Sequence, residues 1–397
     1  MPKVDLVDYA GREQAYVKHR LLAEYLPPLA YKVGSAWDSI VYVDAFSGPW
    51  KTNRADYADS SFAVAIDTLR DAQAGLMEKG KNRRIDCILI EENKAAFSQL
   101  QTFAASQAGS SFGVHALCGK FVDQIPIVNE LIHKNAPNPF KFVFLDPKGW
   151  SDIPMRQIKP FLKGRSCEVL INLMTRHIIR FLDEPDRAES YNELFGREDV
   201  LDTLKRTPRE NNERTEKAVR EYCRSLKLLC GFKFVSSAVI LEPNEESVKY
   251  YLVYGTNDFH GIEVFKKAET TAARIQDDVR FKTRFQSTGQ TELLLGGESK
   301  QSRLIVHLRS RYRSRARDKV IEMLSASRAG QQIAYVDLYC EAMAFPLVTP
   351  DDLMSWLREL DPNIKIQLAG SQKRKKPSPG ENDRIIVTKP NSLKPPR

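Results

Sequence analysis

Phe142-Val143-Phe144-Leu145-Asp146-Pro147-Lys148-Gly149-Trp150 decides the fold class. Four apolar residues in a row describe a strand covered on both faces, and Asp-Pro followed by Gly stops it at a carboxylate. In an open α/β sheet such strand ends are where ligands sit, so Asp146 is expected to face a substrate. Similar runs precede and follow it. Ser39 to Asp44, Ile85 to Ile90, Phe112 to Leu117 and Cys167 to Asn172 read as strands, with helical spacing between them at 60–77, beyond Asn93, at 122–133 and at 155–162. Strands alternating with helices imply parallel βαβ units, because parallel neighbours need a crossover of a dozen or more residues. The expected class is therefore α/β, a Rossmann-like parallel sheet.

The flanks fill in the organisation. Residues 12–31 carry a helical pattern that Pro27-Pro28 is expected to end. After Leu173 come charged helices, an expected helical insert at about 175–230, with Arg209 to Leu229 as one long helix. Phe232 to Leu241 and Val248 to Thr256, separated by Glu242-Pro243-Asn244-Glu245-Glu246-Ser247, form a hairpin, so the sheet is expected to end in an antiparallel pair. Gly296-Gly297-Glu298-Ser299 reads as a linker, dividing a domain at 1–297 from a second at 298–397. In the second, helices are expected at Arg317 to Ser325, Ile333 to Ala344 and Pro350 to Leu360, the last capped by Thr349. Strands at Ile364 to Leu368 and Arg384 to Thr388 then flank the basic loop Lys373-Arg374-Lys375-Lys376-Pro377, a winged-helix pattern.

Composition bounds the function classes. No stretch approaches about 18 uninterrupted apolar residues, and Met1-Pro2-Lys3-Val4-Asp5 lacks the shape of a signal peptide, so no membrane partner and a cytoplasmic location are expected. Six dispersed cysteines with no Cys-x-x-Cys spacing lead to an expectation of buried thiols, with no disulfide and no metal. Residues 301–397 hold 18 Lys and Arg against 10 Asp and Glu, nearly all of the chain's net charge of +9. That placement favours an anionic partner for the C-terminal quarter, DNA or RNA above all, with surface solubility the alternative. Neither a nucleophile elbow nor a Walker phosphate loop is present, which removes those enzyme classes.

Taken together, Val41-Tyr42-Val43-Asp44-Ala45-Phe46-Ser47-Gly48-Pro49, the Asp146-Pro147-x-Gly149 turn, Leu170-Ile171-Asn172 and Tyr250-Tyr251-Leu252-Val253-Tyr254-Gly255-Thr256 resemble the three-Cys-motif partner proteins. These are a bacterial family with a methyltransferase-like Rossmann domain. The resemblance covers roughly 12–275 and implies S-adenosyl-L-methionine as cofactor and a radical-SAM-like three-Cys-motif protein as partner. It implies Asp44, Phe46 and Gly48 around the methionine part of the cofactor; Trp50 stands where relatives usually have another glycine. Glu91 is expected on the ribose hydroxyls, with Glu92 as competitor. Lys120 stands where relatives usually have Asp after Gly119, so the adenine contact is either lost or moves to Asp123. Asp146-Pro147 is similar to the turn with which base amino-methyltransferases hold an amine, and Trp150 is expected to stack on the base as catalytic partner of Asp146 and Pro147. Lys148, Arg176 and Arg180, with Lys373, Arg374, Lys375 and Lys376, are the expected phosphate contacts. The implied function is methyl transfer, on nucleic acid and together with the partner. The alternative is a non-catalytic scaffold that docks the partner and recruits DNA.

Overall fold

The computed structural model describes residues 5–48, 52–135, 138–287, 303–370 and 374–393. The strands β1 (Ser39–Asp44), β2 (Arg84–Glu91), β3 (Phe112–Cys118), β4 (Phe140–Leu145), β5 (Cys167–Leu173), β6 (Phe234–Leu241) and β7 (Val248–Thr256) form one sheet. Its order is β3-β2-β1-β4-β5-β7-β6. The first five strands are parallel, while β7 runs antiparallel to both β5 and β6. The expected hairpin is present, with the finer arrangement that its second strand, not its first, adjoins β5. Every residue of β1 and β5 is buried, which is what strands covered on both faces require.

On one face lie α1 (Glu13–Ala36), α2 (Ser61–Glu78) and α3 (Lys94–Gln107), with α1 between α2 and a later helix, Phe259–Ser287. On the other lie α4 (Phe121–Asn135) and α5 (Met155–Leu162), joined through an edge-to-face contact of Phe121 and Phe161 at 5.6 Å. The helices start where polar caps stand: Ser60 Oγ accepts from Ala63 N at 3.2 Å, and Asn93 Oδ1 accepts from Ala96 N at 3.0 Å. α1 differs from the sequence expectation, since it runs straight through Pro27 and Pro28. Two missing N–H groups cost it backbone hydrogen bonds, yet Leu26, Leu29, Ala30 and Val33 are all buried in the core, and that packing outweighs the loss.

The insert comprises α6 (Thr175–Arg180), α7 (Ala188–Phe195), α8 (Asp199–Arg206) and α9 (Glu213–Ser225). The single helix expected over 209–229 is broken at both ends. Asn212 is left-handed at φ 60°, and a wider turn at Leu226–Cys230 closes on Gly231 at φ 82°. Beyond β7 the chain forms α10 (Phe259–Ser287), a 29-residue helix over a segment whose sequence announced no element.

The C-terminal quarter folds as α11 (Arg303–Ser325), β8 (Gln332–Ala334), α12 (Tyr335–Met343), α13 (Pro350–Glu359), β9 (Ile364–Gln367) and β10 (Arg384–Val387). α11 begins well before the expected Arg317, and β8 takes the residues expected to open the next helix. The hairpin becomes a three-stranded antiparallel sheet, β8-β10-β9. Thr349 and Asp352 form the expected cap of α13. The linker and the boundary at 297/298 lie outside the described residues.

This quarter packs directly on the large sheet and on α10. Ser236 Oγ donates to Met343 O at 2.6 Å and Lys266 Nζ to Phe345 O at 2.6 Å, while the Tyr251 and Tyr312 hydroxyls meet at 2.8 Å. β6, the last strand of its sheet, is thereby covered rather than left open. Arg311, Arg313, Arg315 and Arg317 of α11 pair with Glu216, Asp352, Glu213 and Glu359, so part of the local basic charge is engaged within the fold.

Candidate functional site

β1 and β4 are neighbours whose onward connections run to opposite faces of the sheet, and such a switch point opens a crevice beyond the carboxyl ends of the strands. A cleft of about 730 Å³ occupies that position. Its walls come from the segments after β1, β2, β3, β4 and β5, from the first turns of α1, and from Lys249 and Tyr250 of β7.

Phe46 and Gly48 line the wall beyond β1, but Asp44 stands behind them with no exposure. Its carboxylate accepts from Ser61 Oγ at 2.9 Å, Phe46 N at 3.2 Å and Tyr42 Oη at 3.3 Å. Burial pushes it up to about 6, against the lowering effect of the Ser61 and Phe46 donors. Asp44 therefore shapes the turn that presents Phe46 rather than reaching into the cleft. Trp50, the departure from the family pattern, lies outside the described residues.

Glu91 closes β2 facing the cleft and is 3% exposed; Oε1 accepts from Asn93 N at 2.6 Å. Burial raises its carboxyl above the usual range, opposed by that backbone bond and by the Lys148 ammonium. Glu92 also lines the cleft and is exposed. After β3, Gly119 sits at φ 141°, a conformation that favours glycine, and the exposed Lys120 and Asp123 follow it along the cleft.

Asp146 anchors the wall beyond β4. One oxygen accepts from the Lys18 ammonium and the other from Asn172 Nδ2 at 2.7 Å. Lys18 also stands 5.9 Å from the centre of the Tyr250 ring. Beside it, His19 is buried, with Nδ1 at 2.9 Å from Tyr9 Oη, and burial lowers it well below the usual histidine value, so the ring is neutral. Lys18 was missed as a site residue, although it had a signal: its neighbours Val17, Leu21 and Leu22 are core residues, and a lysine within such a stripe needs a partner.

The remaining expected residues divide. Pro147 and Lys148 line the cleft with Asp146. Trp150 does not appear in that lining; its ring packs edge-on against Tyr191 at 4.8 Å and Phe181 at 6.2 Å, seating α7 on the loop after β4. Arg176 clasps the β6–β7 turn through Glu242 at 2.9 Å, Ser247 at 2.5 Å and Val248 O at 3.0 Å, and is not a cleft residue. Arg180 is exposed, over the Phe181 ring at 5.4 Å. Arg374 is tied to Asp383 at 2.8 Å and to Ala369 O at 3.0 Å, which makes it part of the hairpin's own structure. Lys375 and Lys376 are exposed, Lys376 at 3.6 Å from Asp351, and Lys373 lies outside the described residues.

No family model matches the sequence, and no curated protein does. A solved structure with some likeness is described as "putative methyltransferase from Porphyromonas gingivalis W83", at TM-score 0.25 and 13% identity. The match spans 59% of this chain and 41% of that one. A likeness of that strength fixes neither fold nor function, so the reading below stands on the cleft.

Proposed function

We propose that the cleft binds S-adenosyl-L-methionine and that the chain transfers its methyl group to an amine at the end of β4. The observation that carries this reading is the pair of inward carboxylates, Glu91 and Asp146, on either side of the switch point. Glu91 fits the ribose: it is buried yet faces the cleft, with Oε1 held by the Asn93 backbone. Asp44 does not fit a direct contact with the methionine ammonium, so that end falls to the Phe46–Gly48 backbone. When bound, the cofactor supplies a methyl group on a sulfonium. Asp146 orients the acceptor, takes the proton that its nitrogen loses as the N–C bond forms and the S–C bond breaks, and stabilises the positive charge that develops there.

Titration calorimetry with the cofactor tests the reading. Glu91→Ala is expected to weaken binding by at least about ten-fold, the loss of one buried charge-assisted contact. Absence of binding by the wild-type chain overturns the cofactor; undiminished binding by the variant overturns the ribose contact.

Nucleic acid and a three-Cys-motif protein belong to the same proposal. The order α11-β8-α12-α13-β9-β10 supports reading the C-terminal quarter as a winged helix, and its β9–β10 loop exposes Lys375 and Lys376. Lys375→Ala with Lys376→Ala is expected to flatten the logarithmic salt dependence of DNA binding by about 1 to 2. An unchanged slope removes the loop from the interface. The buried position of Asp44 favours the second reading, a methyltransferase-fold scaffold that docks the partner without catalysis. Copurification with the partner and no cofactor binding is its signature.

A further inference from the structure

Lys18, Asp146, Asn172 and Tyr250 all line the cleft, and the Lys18 ammonium lies between Asp146 and the Tyr250 ring. Lys18 is 7% exposed, and its ammonium donates to Asp146 beneath the Tyr250 ring at 5.9 Å. The other Asp146 oxygen takes Asn172 Nδ2 at 2.7 Å, which fixes the amide, since its reverse orientation would set oxygen against carboxylate. Asn172 Oδ1 is left as a buried acceptor with no hydrogen-bond partner among the described residues. A carboxylate and an aromatic face are the parts of an ammonium cage, and Asn172 holds that carboxylate in place.

We propose that this cage is a subsite for the ammonium group of a primary alkylamine, held by Lys18 as an internal stand-in until the ligand displaces it. Exchanging one ammonium for another keeps Asp146 neutralised, and the displaced Lys18 swings into the open cleft. A neutral nucleobase amine would leave a half-buried carboxylate without its counter-charge. Trp150, the ring expected to stack on a base, is packed against α7 instead. The inference rests on the reading above for the idea that this subsite receives the methyl acceptor, whose ammonium first passes one proton to Asp146 so that a nitrogen lone pair is free to attack; the cage itself stands without the cofactor. It moves the acceptor from a nucleobase to an alkylamine, and leaves nucleic acid to the C-terminal quarter.

The full-length Lys18→Ala chain lacks the atoms of n-propylamine beyond its Cβ, so that amine is the probe. Calorimetry is expected to show n-propylamine binding Lys18→Ala at least about ten-fold more tightly than wild type. Propan-1-ol is expected not to compete, and Lys18→Ala with Asp146→Asn to lose the binding. Equal affinity for wild type and variant, competition by the alcohol, or adenosine in place of the amine overturns the cage. Should Lys18→Ala fail to fold, the wild-type chain serves: saturating n-propylamine shifts the Lys18 side-chain ammonium resonance, and no shift overturns the proposal. Cofactor titration on the same samples separates the two readings, because amine binding without cofactor binding refutes the transfer and keeps the subsite.

Discussion

Glu269→Ala is expected to destabilise the chain by about 3 to 5 kcal/mol in urea titration, the cost of removing one member of a buried ion pair. Glu269 and Lys266 sit one turn apart on α10, exposed by only 3% and 2%. Glu269 Oε2 accepts from Lys266 at 3.0 Å, and Oε1 accepts from Leu347 N at 2.8 Å. Lys266 in turn donates to Phe345 O. Burial lowers Lys266 and raises Glu269, each opposed by the charge of the other. Without the carboxylate the ammonium is stranded and Leu347 N has no acceptor. Leu347 also has φ 59°, a conformation a branched side chain adopts only when its surroundings hold it there. Glu269 thus fastens the C-terminal quarter to α10 and holds a strained turn. Glu269→Gln is expected to lose less, because its amide oxygen still accepts from Leu347 N. A loss under about 1 kcal/mol for the alanine variant would show that water enters this contact and that the two parts are joined elsewhere.

The sheet was legible because its strands are apolar on both faces. Tyr42 and Val43, or Phe142 to Leu145, have no solvent face to obscure, and their turn residues mark where each run stops. Which strand of the hairpin meets β5 was not legible, since either order buries the same side chains. Helix α1 was cut short in sequence because proline is a local penalty, while the packing of Leu29 and Val33 that overrides it is tertiary. The site divides along the same line. Glu91 and Asp146 follow from their places at strand ends. Lys18 lies 128 residues from Asp146, and only the fold brings them together. Trp150 reads as a base-stacking aromatic until α7, whose position no local pattern fixes, supplies Tyr191 as its neighbour.

Asp146→Ala is expected to cost about 3 kcal/mol, and Lys18→Met clearly less. The asymmetry follows from depth, since the Lys18 side chain is 9% exposed and that of Asp146 is 21%. Deleting the carboxylate strands the deeper charge and takes the acceptor from Asn172 Nδ2. Deleting the ammonium leaves a carboxylate that keeps Asn172 and reaches water. The double variant Lys18→Met with Asp146→Ala removes both charges, so it is expected to be more stable than Asp146→Ala alone, with a coupling of about 2 kcal/mol from the double-mutant cycle. Methyl transfer is expected to vanish in every variant lacking Asp146, whatever its stability. The cycle therefore separates two roles that a single substitution confuses. Strong coupling with transfer recovered in the double variant would make the pair purely architectural. Strong coupling with transfer still absent makes Asp146 the group on which the acceptor is held. Negligible coupling would mean that the two side chains are independently solvated, and a cage without preformed geometry has no means of selecting an ammonium.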